Sequence, residues 1–120
     1  MKDMQVEQLI VFTEEDIRPF LHIVKGQRQD RSTVPSPAIL LAYQKVEKPW
    51  ELIHPVILHK QEWTQTKHVY IDEPYTFSLA IQQRRALHGR TFFLETMDVY
   101  DRLGQLCFSG ESTLSAGGKQ

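Results

Sequence analysis

Residues 75–82 read YTFSLAIQ, with a large apolar side chain at every second position. In an extended chain, Tyr75, Phe77, Leu79 and Ile81 point to one face, and the small or polar residues between them point to the other. A period of two is that of a β-strand with one buried face. The stretch therefore predicts a long strand that covers a hydrophobic core.

The same alternation extends in both directions from this strand. Period-two runs occupy most of residues 56–114 and are separated by tight turns at 72–74, 88–90 and 101–104. Turns of this length join antiparallel neighbours, and Gly104 suits a backbone position with positive φ. We therefore expect four strands in a meander that forms a curved antiparallel sheet.

The first half of the chain has a short strand pattern and then a helical one. A first strand is predicted at residues 9–11, and Thr13 with Asp16 forms a capping box. Apolar residues then follow at helical spacing, at Ile17, Phe20, Leu21 and Val24. Pro19 removes a backbone donor, so we expect a kink, or a short turn followed by a second helix that begins near Pro19.

A second helical segment is almost entirely apolar from residue 38 to residue 46. Ser36 is predicted as its N-cap, Pro37 as its first residue and Pro49 as the residue that stops it. A helix that is apolar on nearly every side is a buried helix.

One buried helix with an antiparallel sheet curled around it is an α+β architecture, the hot-dog fold. We expect residues 1–120 to form a single domain with a frayed tail at 115–120. Such a sheet leaves an exposed edge, which a second copy commonly covers, so a dimer is expected.

The composition gives no sign of a nucleic-acid or membrane partner. The net charge is −1, and the cluster of Arg84, Arg85, His88 and Arg90 is interpreted as a solvated strand end. The single cysteine, Cys107, excludes an internal disulfide and fits a reducing compartment. No segment has the pattern of a membrane span or signal peptide, so a cytoplasmic protein is expected.

Three stretches of the chain resemble the MaoC-like proteins, the (R)-specific enoyl-thioester hydratases and 3-hydroxyacyl-thioester dehydratases. FTEEDIRPF at 12–20 resembles the entry into the family's N-terminal helix, and ILHKQE at 57–62 resembles the start of its first long strand. Residues 97–106 resemble its last hairpin. The resemblance implies a hot-dog fold and an acyl-thioester ligand, carried by coenzyme A or by an acyl carrier protein.

The chain departs from these enzymes in one loop. Catalytic members carry an aspartate and a histidine there, which flank the water that adds to the enoyl double bond. The corresponding residues 26–35 contain Asp30 but no histidine. Because general acid–base addition of water needs two groups, the resemblance implies the non-catalytic, substrate-binding half of such a pair. Asp30 is either a relic of the catalytic aspartate or a turn residue.

Five residues are candidates for substrate binding: His59, Tyr43, Trp63, Arg84 and Arg85. His59 is predicted to share a strand face with Ile57, Gln61 and Trp63, and to face a thioester carbonyl or to pair within the strand. Tyr43 and Trp63 are candidates for lining an acyl tunnel, and an arginine can bind the phosphates of coenzyme A or phosphopantetheine.

No metal or cofactor is predicted. His54, His59 and His68 lack carboxylates or thiols at metal-ligand spacing.

Three functions stay open at this point. The first is an acyl-thioester-binding subunit in a homodimer or beside a catalytic hot-dog chain. The second is a thioesterase, which would need a carboxylate on the central helix, where only Glu47 and Glu51 are near. The third is a structural or regulatory protein that binds acyl-CoA without chemistry.

Overall fold

The computed structural model describes residues 3–20, 32–52 and 55–117, together with the backbone of 23–24 and 27–28. Asp30 and His54 lie outside the described residues. The strands are β1 (Met4–Val11), β2 (Ile23–Val24), β3 (Gln27–Arg28), β4 (Ile57–Gln65), β5 (Pro74–Leu87), β6 (Arg90–Tyr100) and β7 (Leu106–Ala116). The helices are α1 (Glu14–Ile17) and α2 (Ser36–Leu41), each continued by a 3₁₀ turn, at Arg18–Phe20 and Ala42–Lys45.

Five strands form one antiparallel sheet in the order β1-β5-β6-β7-β4. The strands predicted from the sequence are all present, but they do not form a simple four-strand meander. Only β5, β6 and β7 are consecutive neighbours, whereas β4 lies at the far edge beside β7, and β1 pairs with β5. The segment between β4 and β5 must pass β7 and β6, which lie between these two strands in the sheet. At its start, the N–H groups of Thr66 and Lys67 donate to the carbonyl of Cys107 in β7.

The predicted turns have the backbone that their residues favour. His88 and Gly89 both have positive φ, at 53° and 78°, as the two central residues of a tight antiparallel hairpin require. Gly104 has a φ of 78°. Asp101 Oδ1 accepts from the N–H groups of Leu103 and Gln105 and so fixes the last turn.

The capping box predicted at the start of α1 is confirmed. Thr13 Oγ1 accepts from the Asp16 N–H, and Asp16 Oδ2 accepts from the Thr13 N–H at 2.8 Å. The predicted helical face does not continue to Val24, which lies in β2. Since Pro19 has no N–H to donate, α1 stops at Ile17 and continues as the 3₁₀ turn. Of the two alternatives, a second α-helix does not begin at Pro19 or Phe20, the last described residues of this segment.

The apolar segment after residue 35 packs on the sheet as a shorter element than predicted. Pro35 occupies the N-cap position of α2, and Ser36 is the first helical residue. The predicted cap by Ser36 is wrong because its hydroxyl instead donates to Gln65 Oε1 at 2.6 Å. The 3₁₀ turn that follows α2 ends at Lys45, so the helical segment stops four residues before Pro49.

The core lies between this helical segment and one face of the sheet. The helical residues Ala38, Ile39 and Ala42 are buried together with alternate residues of the sheet, among them Phe77, Leu79, Ile81, Phe93, Met97, Val99 and Phe108. The segment is not buried on every side, since Leu41 is 50% exposed. Ser115 and Ala116 are buried in β7, so the prediction of a frayed tail is wrong for these two residues.

No helix within the described ranges is long and apolar enough to cross a bilayer.

Candidate functional site

A pocket of about 500 Å³ lies between α2 with its following loop and the β6-β7-β4 side of the sheet. We call it the helix–sheet pocket. Its apolar wall consists of Leu40, Leu41, Trp50, Leu52, Val56, Leu58, Met97 and Leu114, and its polar lining includes Tyr43, Lys48, Gln61, Glu95 and Ser112. The volume and the apolar wall are those of a small-molecule site.

Gly110 is one reason why the pocket exists. It pairs with Met97 on one side and Trp63 on the other, so its missing side chain would lie on the pocket face of the sheet. A Cβ there would meet Phe108 Cε1 at 3.5 Å and Trp63 Cβ at 3.8 Å, which are ordinary contacts. A larger side chain at this position would project into the pocket.

The polar part of the pocket is centred on Glu95. It follows Phe93 and precedes Met97 on the inward face of β6, and it is only 8% exposed. The Tyr43 hydroxyl donates to Glu95 Oε2 across the pocket. The Trp50 indole Nε1 is buried beside this carboxyl but lacks a hydrogen bond of good geometry within the described part of the chain.

Lys48, in the loop after the 3₁₀ turn, lies beside Tyr43 and Glu95 in the polar part of the pocket. Its Nζ donates to the carbonyls of Tyr43 and Val46, at 2.9 and 3.0 Å, and lies 3.8 Å from the centre of the Tyr43 ring. The ammonium is thus held over the ring by backbone acceptors and a cation–π contact.

Burial dominates the ionisation of this group. It raises the pKa of the Glu95 carboxyl, and the hydrogen bond from Tyr43, the adjacent Trp50 N–H and the charge of Lys48 offset only part of that effect. Burial, followed by the hydrogen bond to Glu95, raises the pKa of the Tyr43 hydroxyl, and burial lowers the pKa of Lys48. A carboxyl that resists ionisation can donate as well as accept hydrogen bonds.

The mouth of the pocket is apolar and lies at the edge of the sheet. Leu41 on α2 and Leu58 on β4 are 50% and 52% exposed, and both line the pocket. Every residue of β4 from Ile57 to Thr64 is exposed. The pocket therefore opens toward a bare sheet edge.

Of the five predicted substrate-binding residues, Tyr43 is the one that lines this pocket. Trp63 lies beside Gly110, and its side chain is 47% exposed outside the pocket lining.

His59 lies elsewhere, because a β-bulge between Leu58 and Lys60 breaks the alternation of β4. Leu58 and Gln61 therefore both line the pocket. Gln61 and Trp63 share a face as predicted, but the prediction that Ile57 and His59 lie on that face is wrong. The His59 ring packs on Phe92, with centroids 5.1 Å apart, and its Nε2 is 2.7 Å from Ser115 Oγ. Phe92 and Ser115 pair with each other on the opposite face of the sheet.

Arg84 and Arg85 lie on the exposed end of β5, away from the pocket lining. Arg84 occupies a bulge, and Arg85 pairs with Phe92 and holds its guanidinium 5.8 Å from that ring. Their predicted role in binding a phosphate stays a prediction.

Glu95, Trp50 and Lys48 were missed by the reasoning from sequence. The signal for Glu95 is present, because a charged residue interrupts the apolar face made by Phe93 and Met97. Trp50 and Lys48 lie in an irregular segment that has no periodicity to indicate where it packs. Within the described ranges no three His, Cys, Asp or Glu residues are grouped as a metal site.

No family model and none of the curated proteins matches this sequence. Solved structures do match. A hot-dog-like protein from Thermanaerovibrio acidaminovorans has a TM-score of 0.65 at 11% identity, covering 98% of this chain and 84% of that chain. The 3R-hydroxyacyl-ACP dehydratase HadBC complex from Mycobacterium tuberculosis has a TM-score of 0.63 at 13% identity, covering 96% of each chain.

A hypothetical thioesterase with coenzyme A from Streptococcus pneumoniae has a TM-score of 0.59 at 8% identity, covering 100% of this chain and 84% of that chain. At these identities the likeness establishes the fold. The chain has the α+β hot-dog fold predicted from its sequence, and its structural neighbours include a dehydratase of the kind that its motifs resemble.

Proposed function

We propose that this hot-dog chain binds an acyl thioester, with the acyl group in the helix–sheet pocket, and serves as a substrate-binding subunit without hydratase chemistry of its own. The observation that carries the proposal is the pocket itself, about 500 Å³ with an apolar wall between helix and sheet. Structural neighbours that act on acyl carriers or bind coenzyme A support the same ligand class.

The lining supports binding rather than hydration. Adding water to an enoyl group requires a base and an acid that reach the same water molecule. The described residues that line the pocket include no histidine, and the loop at 26–35 carries none in its sequence. On this proposal the catalytic aspartate–histidine pair is supplied by another chain.

A second copy of this chain is the partner that β4 fits best. β4 is an edge strand paired only with β7 in the sheet, and its exposed Ile57, Leu58 and Trp63 favour pairing of its outer edge with another strand. If two copies of β4 pair antiparallel about a two-fold axis at Gln61, Lys60 of each copy lies opposite Glu62 of the other. This charge complementarity favours a homodimer over a heterodimer with a different hot-dog chain.

Thioester hydrolysis is the second candidate function. Glu51 follows the helical segment and lines the pocket, which gives the thioesterase hypothesis a carboxylate near the site. Release of free thiol from acyl-CoA, abolished in Glu51→Gln, would favour this function over binding alone.

The proposed function is tested by measuring the melting temperature in the presence of acyl-CoA of increasing chain length. A ligand that binds only the folded state raises the melting temperature. At a hundredfold excess over Kd, the free energy of unfolding increases by about 2.7 kcal/mol. We expect stabilisation that peaks at one chain length and no hydration of a crotonyl thioester. Stabilisation by none of the acyl thioesters would overturn the proposal.

A matched pair of variants assigns the binding to the pocket. Gly110→Val places two methyl groups in the pocket, whereas Thr113→Val changes a neighbouring residue of β7 with little change in volume. We expect Gly110→Val to abolish the shift and Thr113→Val to retain it. A shift that survives Gly110→Val would place the acyl group elsewhere.

A further inference from the structure

The helix–sheet pocket is not uniformly apolar, and its polar groups are incompletely paired. Glu95 Oε2 accepts a hydrogen bond from the Tyr43 hydroxyl. No hydrogen bond to the second carboxyl oxygen, Oε1, is found among the described residues. The Trp50 N–H beside it is buried without a well-formed hydrogen bond in the same part of the chain. An acceptor and a donor thus lie next to each other in an apolar wall.

A plain hydrocarbon chain cannot satisfy these groups. Filling the pocket with methylene groups would remove water from Glu95 and leave the carboxyl oxygen and the indole N–H with only the poorly aligned contact between them. A neutral group that both donates and accepts, such as a hydroxyl or an amide, can bond to the carboxyl oxygen and to the N–H together. Lys48 already supplies the positive charge near Glu95, so a cationic ligand group is not required.

Building on the proposed acyl-thioester function, we infer that Glu95 and Trp50 select ligands whose buried portion carries a hydroxyl or amide group, and that they disfavour saturated hydrocarbon at this position. The role is one of specificity. Sites that hydrogen-bond a ligand hydroxyl reject the analogue lacking it strongly, because their own polar groups are then left unpaired.

Two parts of an acyl thioester can supply this chemistry. One is a hydroxyl on the acyl chain, and the other is an amide of the pantetheine arm. The two sources are distinguished by titrating saturated and hydroxylated acyl-CoA of equal length and pantetheine without an acyl group.

The variants compare Glu95→Leu with Glu7→Gln, which removes an exposed carboxylate on β1, outside the pocket lining. Leucine is close to glutamate in size and suits a buried site, so Glu95→Leu should fold, and its melting temperature verifies that it does. Trp50→Phe keeps the aromatic ring and removes the N–H.

If the hydroxyl is the group recognised, wild type binds the hydroxylated acyl-CoA about tenfold or more tightly than the saturated one. Glu95→Leu then reverses this preference, Trp50→Phe reduces it, and Glu7→Gln retains it. If the amide is recognised, Glu95→Leu weakens both acyl-CoA ligands and pantetheine alike. Either pattern supports the inference.

Equal affinities in wild type that Glu95→Leu leaves unchanged would overturn the inference while the proposed function stands. If none of these ligands binds wild type or any variant, the proposed function itself fails. Calorimetric titration separates these two results.

Discussion

The Tyr43 hydroxyl donates a hydrogen bond to the Glu95 carboxyl, which links the helical segment to the inward face of β6. This contact spans 52 residues of sequence and joins the two layers of the fold inside the pocket. This pair of residues therefore belongs both to the packing between the two layers and to the candidate site.

Tyr43→Phe is expected to destabilise the protein. It removes a hydrogen-bond donor and leaves a buried carboxyl without its main partner, which costs about 1–3 kcal/mol. Chemical denaturation of wild type, Tyr43→Phe and Tyr43→Phe/Glu95→Leu measures the effect. The double variant should recover most of the loss, because it leaves no carboxyl to satisfy. An equal loss in both variants would assign the effect to packing alone.

Glu95 is expected to make the stability of the protein decrease as pH rises. Burial raises the pKa of its carboxyl above the ordinary value of 4.5, so the folded state holds this proton more tightly than the unfolded state does. The stabilising contribution of that proton is complete below the unfolded pKa and is lost as pH rises through the folded pKa. Tyr43, Trp50 and Lys48, the groups that face Glu95, reduce the shift without reversing it.

Denaturation at a series of pH values tests this sign. The free energy of unfolding of Glu95→Gln, relative to wild type, should increase from about pH 4 upward and then level off. Glu111→Gln, which also removes one carboxylate, controls for the change in net charge. A difference that decreases with rising pH would show that the charged form of Glu95 is the one stabilised in the fold.

The capping box of α1 gives a prediction away from the pocket. Thr13→Ala should cost about 1 kcal/mol of stability, because an N-cap hydroxyl satisfies an otherwise unpaired helix N–H. Thr13→Ser keeps the hydroxyl and should retain most of that stability. Urea denaturation of both variants makes the comparison, and equal losses would assign the effect to the lost methyl group.

Arg90 holds the end of β7 and the segment before β4 together. Its guanidinium donates to Ser115 Oγ and to the carbonyls of Pro55, Ser115 and Gly117. Arg90→Lys keeps the charge but loses the planar fork, so amide exchange near residues 115–117 should become faster. Arg102→Lys, in an exposed turn, is the matched control and should leave exchange there unchanged.

The strands and their turns could be predicted because alternation and turn chemistry are local. The position of β4 at the sheet edge could not, since strand order depends on a crossing connection that has no periodic signal. The sequence also gives no sign of the bulge at His59, where one extra residue places the His59 side chain on the face opposite to the predicted one. Glu95 is the instructive case, because its inward position follows from the alternation of Phe93, Glu95 and Met97, while its partners come from distant segments.

The proposed homodimer gives the last prediction, which rests on Lys60 and Glu62. Within one chain Lys60 Nζ lies 2.6 Å from Glu62 Oε1, and both side chains are largely exposed on β4. Pairing of two β4 strands about Gln61 would place each lysine opposite the partner's glutamate, twice by symmetry. Lys60→Glu creates two repulsive pairs and should weaken the dimer, as should Glu62→Lys. The double variant Lys60→Glu/Glu62→Lys restores both attractive pairs and should recover the dimer.

Sedimentation measurements at several protein concentrations distinguish the outcomes. Recovery in the double variant separates pairing across the two-fold axis from a general effect of charge, because each single variant changes the net charge and the double variant does not. A wild-type protein that stays monomeric and dimerises only with a second hot-dog chain would replace the homodimer with a heterodimer. A dimer that tolerates both single variants would place its interface away from β4.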